Sequence, residues 1–332
     1  MKVFALFGAG RIGRIHAANV VAHGAARLRY VVDLDAVAAG RIAQATGATV
    51  IDAAAALADP AIDALLIASP TGTHAALIEA GAAAGKAMLC EKPVDLDVAR
   101  ARACVAAAER AGVLLAIGFN RRYDPSFRRL RQGIEDGEIG AVETVLIVSR
   151  DPSPPPVSYV RSSGGMFRDM TIHDLDMARW LLDEEPVEVT AQGSSLVDPA
   201  IGAAGDIDTA AVTLKTRGGR IAQIANSRRA AFGYDQRIEV CGARGMLAAG
   251  NHKATSVEHA DAAGYRSDPA LPFFLERYAE AYRLELDAFV RRLHGEAADL
   301  VSGRDGVRAL EIADACERSM RAGATVHLEA RA

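Results

Sequence analysis

Residues 169–177, Asp-Met-Thr-Ile-His-Asp-Leu-Asp-Met, carry an acid and a base at a spacing that suits proton transfer. At about 100° per residue, Asp169, His173 and Asp176 fall on one face of a helix. An imidazole titrates near neutral pH, and a carboxylate one turn earlier can orient it. The pattern predicts that His173 is a general acid/base with Asp169 as its partner.

Two other interpretations of the same segment stay open. The acidic residues could simply solvate an exposed helix face, or Asp169 and His173 could be two ligands of a metal ion. The metal interpretation is disfavoured, because no third ligand has a recognisable spacing and Lys92 would be repelled by a cation at the same centre. We therefore expect no metal.

Lys92 is the lysine to which the sequence draws attention. Only five of the 38 basic residues are lysine, so this chain uses arginine for ordinary surface charge. Lys92 lies at the end of an apolar run and is followed by Pro93. An ammonium there can donate a hydrogen bond to a developing alkoxide. The alternative role is a surface salt bridge.

A glycine-rich turn follows the first apolar run. Gly8, Gly10 and Gly13 form the pattern G-x-G-x-x-G, with Arg11 and Ile12 between them. In a dinucleotide site, such glycines allow a tight turn, close approach of the pyrophosphate, and packing of helix on strand.

Asp33 stands 20 residues after the last of these glycines, at the end of the second apolar run. This is the spacing expected of the carboxylate that binds the adenosine ribose hydroxyls. Asp35 is the better candidate for the cap of the next helix. Because a carboxylate repels a 2′-phosphate, the cofactor is predicted to be NAD rather than NADP.

Loops at the same sheet edge should complete the cofactor site. Ser69, Thr71 and His74 follow the fourth apolar run, and Glu91 and Lys92 follow the fifth. Thr71 and His74 could equally cap the next helix.

The elements that position these residues change in character near residue 120. Buried strands are predicted at 3–7, 28–32, 64–68, 87–90 and 113–117, with helices between them at about 14–23, 35–46, 75–84 and 97–111. Later strands are predicted at about 142–149, 187–192, 208–215, 220–227 and 236–241, and helices at about 125–136, 272–294 and 304–322. The fold class is α/β: a doubly wound parallel Rossmann sheet over 1–120, then an α+β domain over 121–332 with a large, open, mostly antiparallel sheet.

Composition excludes several classes of function. The net charge of −4 gives no global attraction to nucleic acid, and no apolar run approaches the length of a membrane span. The four cysteines are far apart, which argues against disulfides or a zinc knuckle and predicts a cytoplasmic protein.

Together, these motifs resemble the glucose–fructose oxidoreductase / inositol dehydrogenase / rhizopine catabolism family. The resemblance rests on the glycine turn, Glu91-Lys92-Pro93, the run 118–124 and the Asp169…His173 helix, in this order. Residues 165–176 and 233–237 are most similar to the branch that oxidises myo-inositol.

The resemblance implies an NAD-dependent oxidation of a cyclic polyol, with myo-inositol and its 2-keto derivative as substrate and product. It implies that Lys92, Asp169 and His173 are catalytic, and that Asn120, Arg121, Asp176 and Tyr234 also line the substrate pocket. A one-residue gap would replace Arg121 by Arg122. A homo-oligomer, tetramer or dimer, is also implied.

Two alternatives remain. The enzyme could act on another inositol isomer or on an aldose such as glucose. The chain could also be a non-catalytic regulator that senses NAD, although such a protein would be free to lose Lys92, Asp169 and His173.

Overall fold

The computed structural model describes residues 1–329. The strands are β1 (Lys2–Phe7), β2 (Ala26–Val32), β3 (Thr49–Val50), β4 (Ala64–Ile67), β5 (Ala87–Glu91), β6 (Leu115–Gly118), β7 (Val142–Arg150), β8 (Pro186–Ser194), β9 (Thr209–Thr216), β10 (Ile221–Ser227), β11 (Asp235–Gly242), β12 (Gly245–Ala249), β13 (Glu258–Asp261), β14 (Gly264–Ser267) and β15 (Val326–His327). The helices are α1 (Arg11–Ala22), α2 (Ala36–Thr46), α3 (Ala53–Ala58), α4 (His74–Ala83), α5 (Val98–Arg110), α6 (Pro125–Glu135), α7 (Val157–Val160), α8 (Ile172–Leu182), α9 (Pro199–Ala203), α10 (Phe274–Arg277), α11 (Ala279–Leu293) and α12 (Gly303–Ala322).

The chain divides into two compact units. Unit 1 comprises Met1–Tyr123 and Ala281–Leu310, and unit 2 comprises Asp124–Glu280 and the stretch that begins at Glu311. A single boundary at residue 120 does not describe this division, because the chain returns to unit 1 after residue 280. The reason is apolar packing: Leu286 and Phe289 of α11 belong to the core under the first sheet.

Unit 1 is built on a six-stranded parallel sheet in the order β3-β2-β1-β4-β5-β6. Its central strands are buried on both faces, as continuous apolar runs require. The ring of Phe4 on β1 packs against Phe289 of α11, with the ring centres 6.3 Å apart. The order of the strands confirms the predicted Rossmann topology and brings the ends of β1, β2, β4 and β5 to one edge.

Unit 2 is built on a seven-stranded sheet in the order β12-β11-β7-β10-β9-β8-β15. All its pairs are antiparallel except β7 with β10, so the predicted open, mostly antiparallel sheet is confirmed. The turn predicted at residues 217–220 joins β9 to β10. These two strands form an antiparallel pair in which Lys215 of β9 lies opposite Ile221 of β10.

Several elements differ from their prediction. The helix expected over 272–294 is two helices, α10 and α11, separated at Tyr278, whose buried ring packs edge-on against Tyr234. β3 and β15 are only two residues long, and β13 and β14 are exposed throughout, so none of them carries an apolar alternation. Within residues 1–329, no helix is both long and apolar enough to cross a lipid bilayer.

One buried ion pair fixes the start of α6 in unit 2. Asp124 accepts hydrogen bonds from the amides of Ser126 and Phe127 and from the guanidinium of Arg277. The side chains of Asp124 and Arg277 are 2% and 1% exposed, and Arg277 also lies 4.8 Å from the ring centre of Tyr278. Losing one member leaves the other charge buried without compensation.

We therefore expect Asp124→Ala to lower the free energy of unfolding by about 3–5 kcal/mol. Urea denaturation followed by circular dichroism measures this change. Glu138→Ala is the matched control, because Glu138 pairs with Arg129 in the same unit but on the surface, where such pairs contribute about 0–1 kcal/mol. Equal losses for the two variants would show that burial does not set the strength of the Asp124 pair.

Candidate active site

The glycine turn at the end of β1 has the geometry that its sequence predicts. Gly8 has a φ of 104°, and a Cβ there would lie 2.4 Å from the backbone of Ala68. A Cβ on Gly13 would lie 2.0 Å from the carbonyl oxygen of Gly8, so side chains are excluded at both positions. A Cβ on Gly10, by contrast, would have no atom within 4 Å, and its backbone is open to a ligand.

The start of α1 suits an anion. Gly10 caps this helix without a side-chain hydrogen bond, and the first turn contains no acidic residue. Arg11 is exposed there and Ile12 is half-buried. Free amides at a helix N-terminus bind phosphate groups, so the turn and α1 together fit a pyrophosphate.

Asp33 stands beside this turn. Its carboxylate accepts hydrogen bonds from the amide of Ala9 and from the amide of Asp35, the latter at 2.8 Å. Asp35 caps α2 by accepting from Val37 and Ala38, which confirms the role predicted for it. Asp33 therefore lies at the edge where a ribose would follow the pyrophosphate, and its binding to the ribose stays a prediction.

His74 connects the two loops that follow β4 and β5. Its ring nitrogens lie 2.8 Å from the carbonyl oxygens of Pro93 and Ser69, and the side chain is buried. The alternative in which Thr71 or His74 caps the next helix is wrong, because the cap residue of α4 is Thr73 and no side chain makes a cap hydrogen bond. His74 holds the loops of the cofactor edge through their backbone.

Glu91 and Lys92 end β5 in different surroundings. The carboxylate of Glu91 is buried and accepts a hydrogen bond from Nε2 of His16, at 2.7 Å. Lys92 is half-buried, and its peptide bond to Pro93 is cis. His16 was not singled out by the sequence, because a histidine inside an ordinary amphipathic helix carries no motif.

In unit 2, Asp169 lies in a π-helical turn, Phe167–Thr171, and α8 begins only after it. The regular rotation of 100° per residue therefore does not relate Asp169 to Asp176. Two other groups hold Asp169: the hydroxyl of Tyr159 donates to it at 2.8 Å, and Nη2 of Arg228 donates at 2.9 Å. His173 is half-buried on the first turn of α8. That Asp169 orients His173 stays a prediction.

Arg228 is a functional candidate that the sequence did not indicate. Its side chain is 4% exposed and also lies 3.5 Å from Asp151. Burial lowers the pKa of this guanidinium, but Asp169 and Asp151 outweigh that effect and the pKa is raised. Arg228 is therefore a permanent positive charge beside Asp169. It follows the end of β10, which is the only signal that could have identified it.

The remaining predicted pocket residues are all buried. Asp176 lies 3.7 Å from Nη1 of Arg179, and Tyr234 packs edge-on against Tyr278. Asn120 and Arg121 lie in a 3-10 turn after β6, where Arg122 pairs with Asp305 at 3.2 Å. That Arg121 rather than Arg122 binds the substrate stays a prediction.

Comparison with known proteins gives the relationship of the chain. Residues 2–119 match an oxidoreductase family with an NAD-binding Rossmann fold, and residues 127–248 match the GFO/IDH/MocA C-terminal domain. The chain is 53% identical over 319 residues to an inositol 2-dehydrogenase of Rhizobium meliloti (strain 1021), with 96% of each chain covered. It is 43% identical over 326 residues to a myo-inositol 2-dehydrogenase of Thermotoga maritima, with 98% of each covered.

A solved structure agrees with these relatives. The crystal structure of a myo-inositol dehydrogenase from Corynebacterium glutamicum ATCC 13032 matches with a TM-score of 0.95 and 43% identity, and all of both chains is covered. Since both the sequence matches and the structural match extend over nearly the whole chain, the protein belongs to the GFO/IDH/MocA family of NAD-dependent oxidoreductases.

Proposed function

We propose that the protein oxidises myo-inositol to its 2-keto derivative, with NAD as the hydride acceptor. The observation that carries this proposal is sequence identity of 43–53%, over 96–98% of the chain, with proteins named inositol 2-dehydrogenase and myo-inositol 2-dehydrogenase. The presence of Lys92, Asp169 and His173 supports an active enzyme over a regulator that only senses NAD.

The cofactor edge of unit 1 fits NAD. The open backbone at Gly10 and the N-terminus of α1 would hold the pyrophosphate, and Asp33 would hold the ribose. The full set of residues proposed to bind the cofactor is Gly8, Gly10, Arg11, Ile12, Gly13, Asp33, Ser69, Thr71, His74, Glu91 and Lys92. When bound, NAD supplies the acceptor for the hydride that leaves the carbon.

Three side chains of the chain take part in removing the proton from the substrate hydroxyl. His173 removes the hydroxyl proton while the carbon loses its hydride, so that the alcohol becomes a ketone. Lys92 donates a hydrogen bond to the same oxygen as negative charge develops on it. Asp169 orients His173. Asn120, Arg121, Asp176 and Tyr234 are proposed to hold the other hydroxyls of the polyol.

We also propose that the protein is a cytoplasmic homo-oligomer, a tetramer or a dimer. Leu146 on β7 and Met246 on β12 support self-association, because both are exposed apolar side chains on strands of the open sheet in unit 2. An exposed apolar side chain is removed from water when a second copy of the chain covers it, and this burial favours association.

A substrate screen tests the proposed activity. Inositol isomers and aldoses are offered with NAD and then with NADP, and reduced nicotinamide is followed by absorbance. Turnover with myo-inositol and NAD is expected. Turnover with glucose and no inositol would overturn the substrate, and no turnover with any compound would favour the NAD-sensing regulator.

His173→Ala should lower kcat by about 10²–10⁴, because positioned proton transfer contributes this much. NADH binding, measured by fluorescence, should change little, since His173 is not among the residues proposed to bind the cofactor. A kcat like that of the wild type would remove His173 from the mechanism.

Asp33→Ala should reduce kcat/KM for NAD by roughly 10- to 100-fold, the range set by losing a hydrogen bond to a charged group. The ratio of kcat/KM for NAD to kcat/KM for NADP should also decrease, because the variant has no carboxylate at residue 33 to repel a 2′-phosphate. Asp35→Ala is the matched control: it loses the cap of α2, which costs about 1 kcal/mol of stability, and should leave the cofactor preference unchanged. Similar changes in preference for both variants would count against the role of Asp33.

Arg228→Met should move the acidic limb of the kcat/KM profile to higher pH, because Asp169 loses the positive charge that stabilises its carboxylate. Arg228→Lys should shift it less. Arg237→Met is a control from the same sheet, since Arg237 pairs with Asp235 and not with Asp169. An unmoved limb in Arg228→Met, with kcat lowered at every pH, would mean that Arg228 serves the fold alone.

A further inference from the structure

Three ionisable side chains meet inside unit 1, behind the strand end that carries Lys92. They are His16 on α1, Glu91 on β5 and Glu285 on α11. All three are buried, and each offers a nitrogen or oxygen within 4.8 Å of those of the other two. Sequence separation hides this group, because Glu285 belongs to the segment that returns to unit 1.

Glu285 is the unusual member of the group. The residue is 1% exposed, and neither of its carboxyl oxygens receives a hydrogen bond from any residue in the described part of the chain. An ionised carboxylate in such a place would pay a large desolvation cost without compensation. The carboxylate of Glu91, which already accepts from His16, would add repulsion.

The surroundings leave Glu91 little room to move away. A Cβ on Gly118 would lie 3.0 Å from Oε2 of Glu91, so the neighbouring strand β6 supplies a slot that only glycine permits. On the other side, the ring of Tyr282 meets the ring of His16 edge-on, with the centres 5.8 Å apart. Packing therefore holds Glu91 and His16 together in the presence of Glu285.

We propose that His16, Glu91 and Glu285 form a buried proton-sharing site, in which Glu285 is the neutral acid and acts as a positioning residue for Glu91. A protonated Glu285 has one O–H donor, and Glu91 has acceptor capacity that His16 does not use. The separation allows this donor to reach Glu91 directly or through one bridging water. The returning helix α11 thus fixes the residue that precedes Lys92.

The chemistry of the site supports this assignment of the proton. Burial, and secondarily the charge of Glu91, raises the pKa of Glu285 well above its ordinary value near 4.5. Between pH 4.5 and the folded-state pKa, the folded protein retains a proton on Glu285 that the unfolded chain has lost. Stability contributed by this group is therefore complete below about pH 4.5 and is lost as the pH rises toward the folded-state pKa.

A pH series of unfolding measurements tests the proton. For wild type relative to Glu285→Gln, the equilibrium constant for unfolding should rise as the pH increases above about 4.5, with a limiting slope of about tenfold per pH unit for one proton. Glu109→Gln is the control, because Glu109 lies in the same unit but its side chain is 45% exposed and its partner is Arg304, so this variant should keep the slope of the wild type. A difference between wild type and Glu285→Gln that does not vary with pH would overturn the neutral acid.

NADH binding tests the positioning, which rests on the proposed role of Glu91 and Lys92 at the cofactor edge. Glu285→Ala should weaken NADH binding at pH 7 by about tenfold, the effect of losing one net hydrogen-bonded contact. Glu285→Gln, which keeps a donor, should recover most of that loss. Equal weakening in both variants, or no weakening in either, would overturn the positioning role.

Metal analysis closes the test. Two carboxylates and an imidazole are also ligands for zinc, so protein purified without chelator is assayed for bound metal. Stoichiometric zinc would replace the proton in this site and overturn the proposal. None of these measurements uses the polyol, so a wrong substrate leaves their outcome intact. If Glu285→Ala fails to fold, the pH series with Glu285→Gln still decides the question.

Discussion

A carboxylate that is removed from water needs an ion pair or hydrogen bonds, and this constraint accounts for three contacts between distant parts of the chain. Asp124 is neutralised by Arg277, Asp169 by Arg228, and Glu91 shares its site with His16. The desolvation cost of each acid is several kcal/mol when no partner is present. Each pair thereby holds together two parts of the chain that are far apart in sequence, and the second and third pairs position residues of the proposed site.

The parallel sheet of unit 1 makes a cofactor edge out of residues that are far apart in sequence. The turn after β1, Asp33 after β2, and the loops after β4 and β5 stand side by side because the strands run in one direction. His74 then connects two of these loops through their carbonyl oxygens. These two contacts hold the loops after β4 and β5 together, which reduces the backbone freedom that a ligand would have to remove.

Local patterns predicted much of this from the sequence. Continuous apolar runs identified the strands of unit 1. The glycine turn and the Asp35 cap follow rules that act within a few residues, and Asp33 follows from its spacing of 20 residues after Gly13. Contacts between distant residues were not predictable in the same way. Arg228 reaches Asp169 across 59 positions and Glu91 reaches His16 across 75, and neither partner belongs to a local motif. The π-helical turn at Asp169 was also missed, because helical periodicity assumes a regular backbone.

Asp169 and Glu91 contact partners of different chemistry, and the difference has a consequence for pH. A guanidinium keeps its charge at every pH at which the protein folds, so Arg228 gives Asp169 a constant partner. The neutral carboxyl that we propose for Glu285 changes its charge with pH, because it loses its proton to solvent when the pH rises past its folded-state pKa. Asp169 in unit 2 thus lies beside a fixed charge, whereas Glu91, at the end of the strand that precedes Lys92, lies beside a group whose charge changes with pH in our proposal.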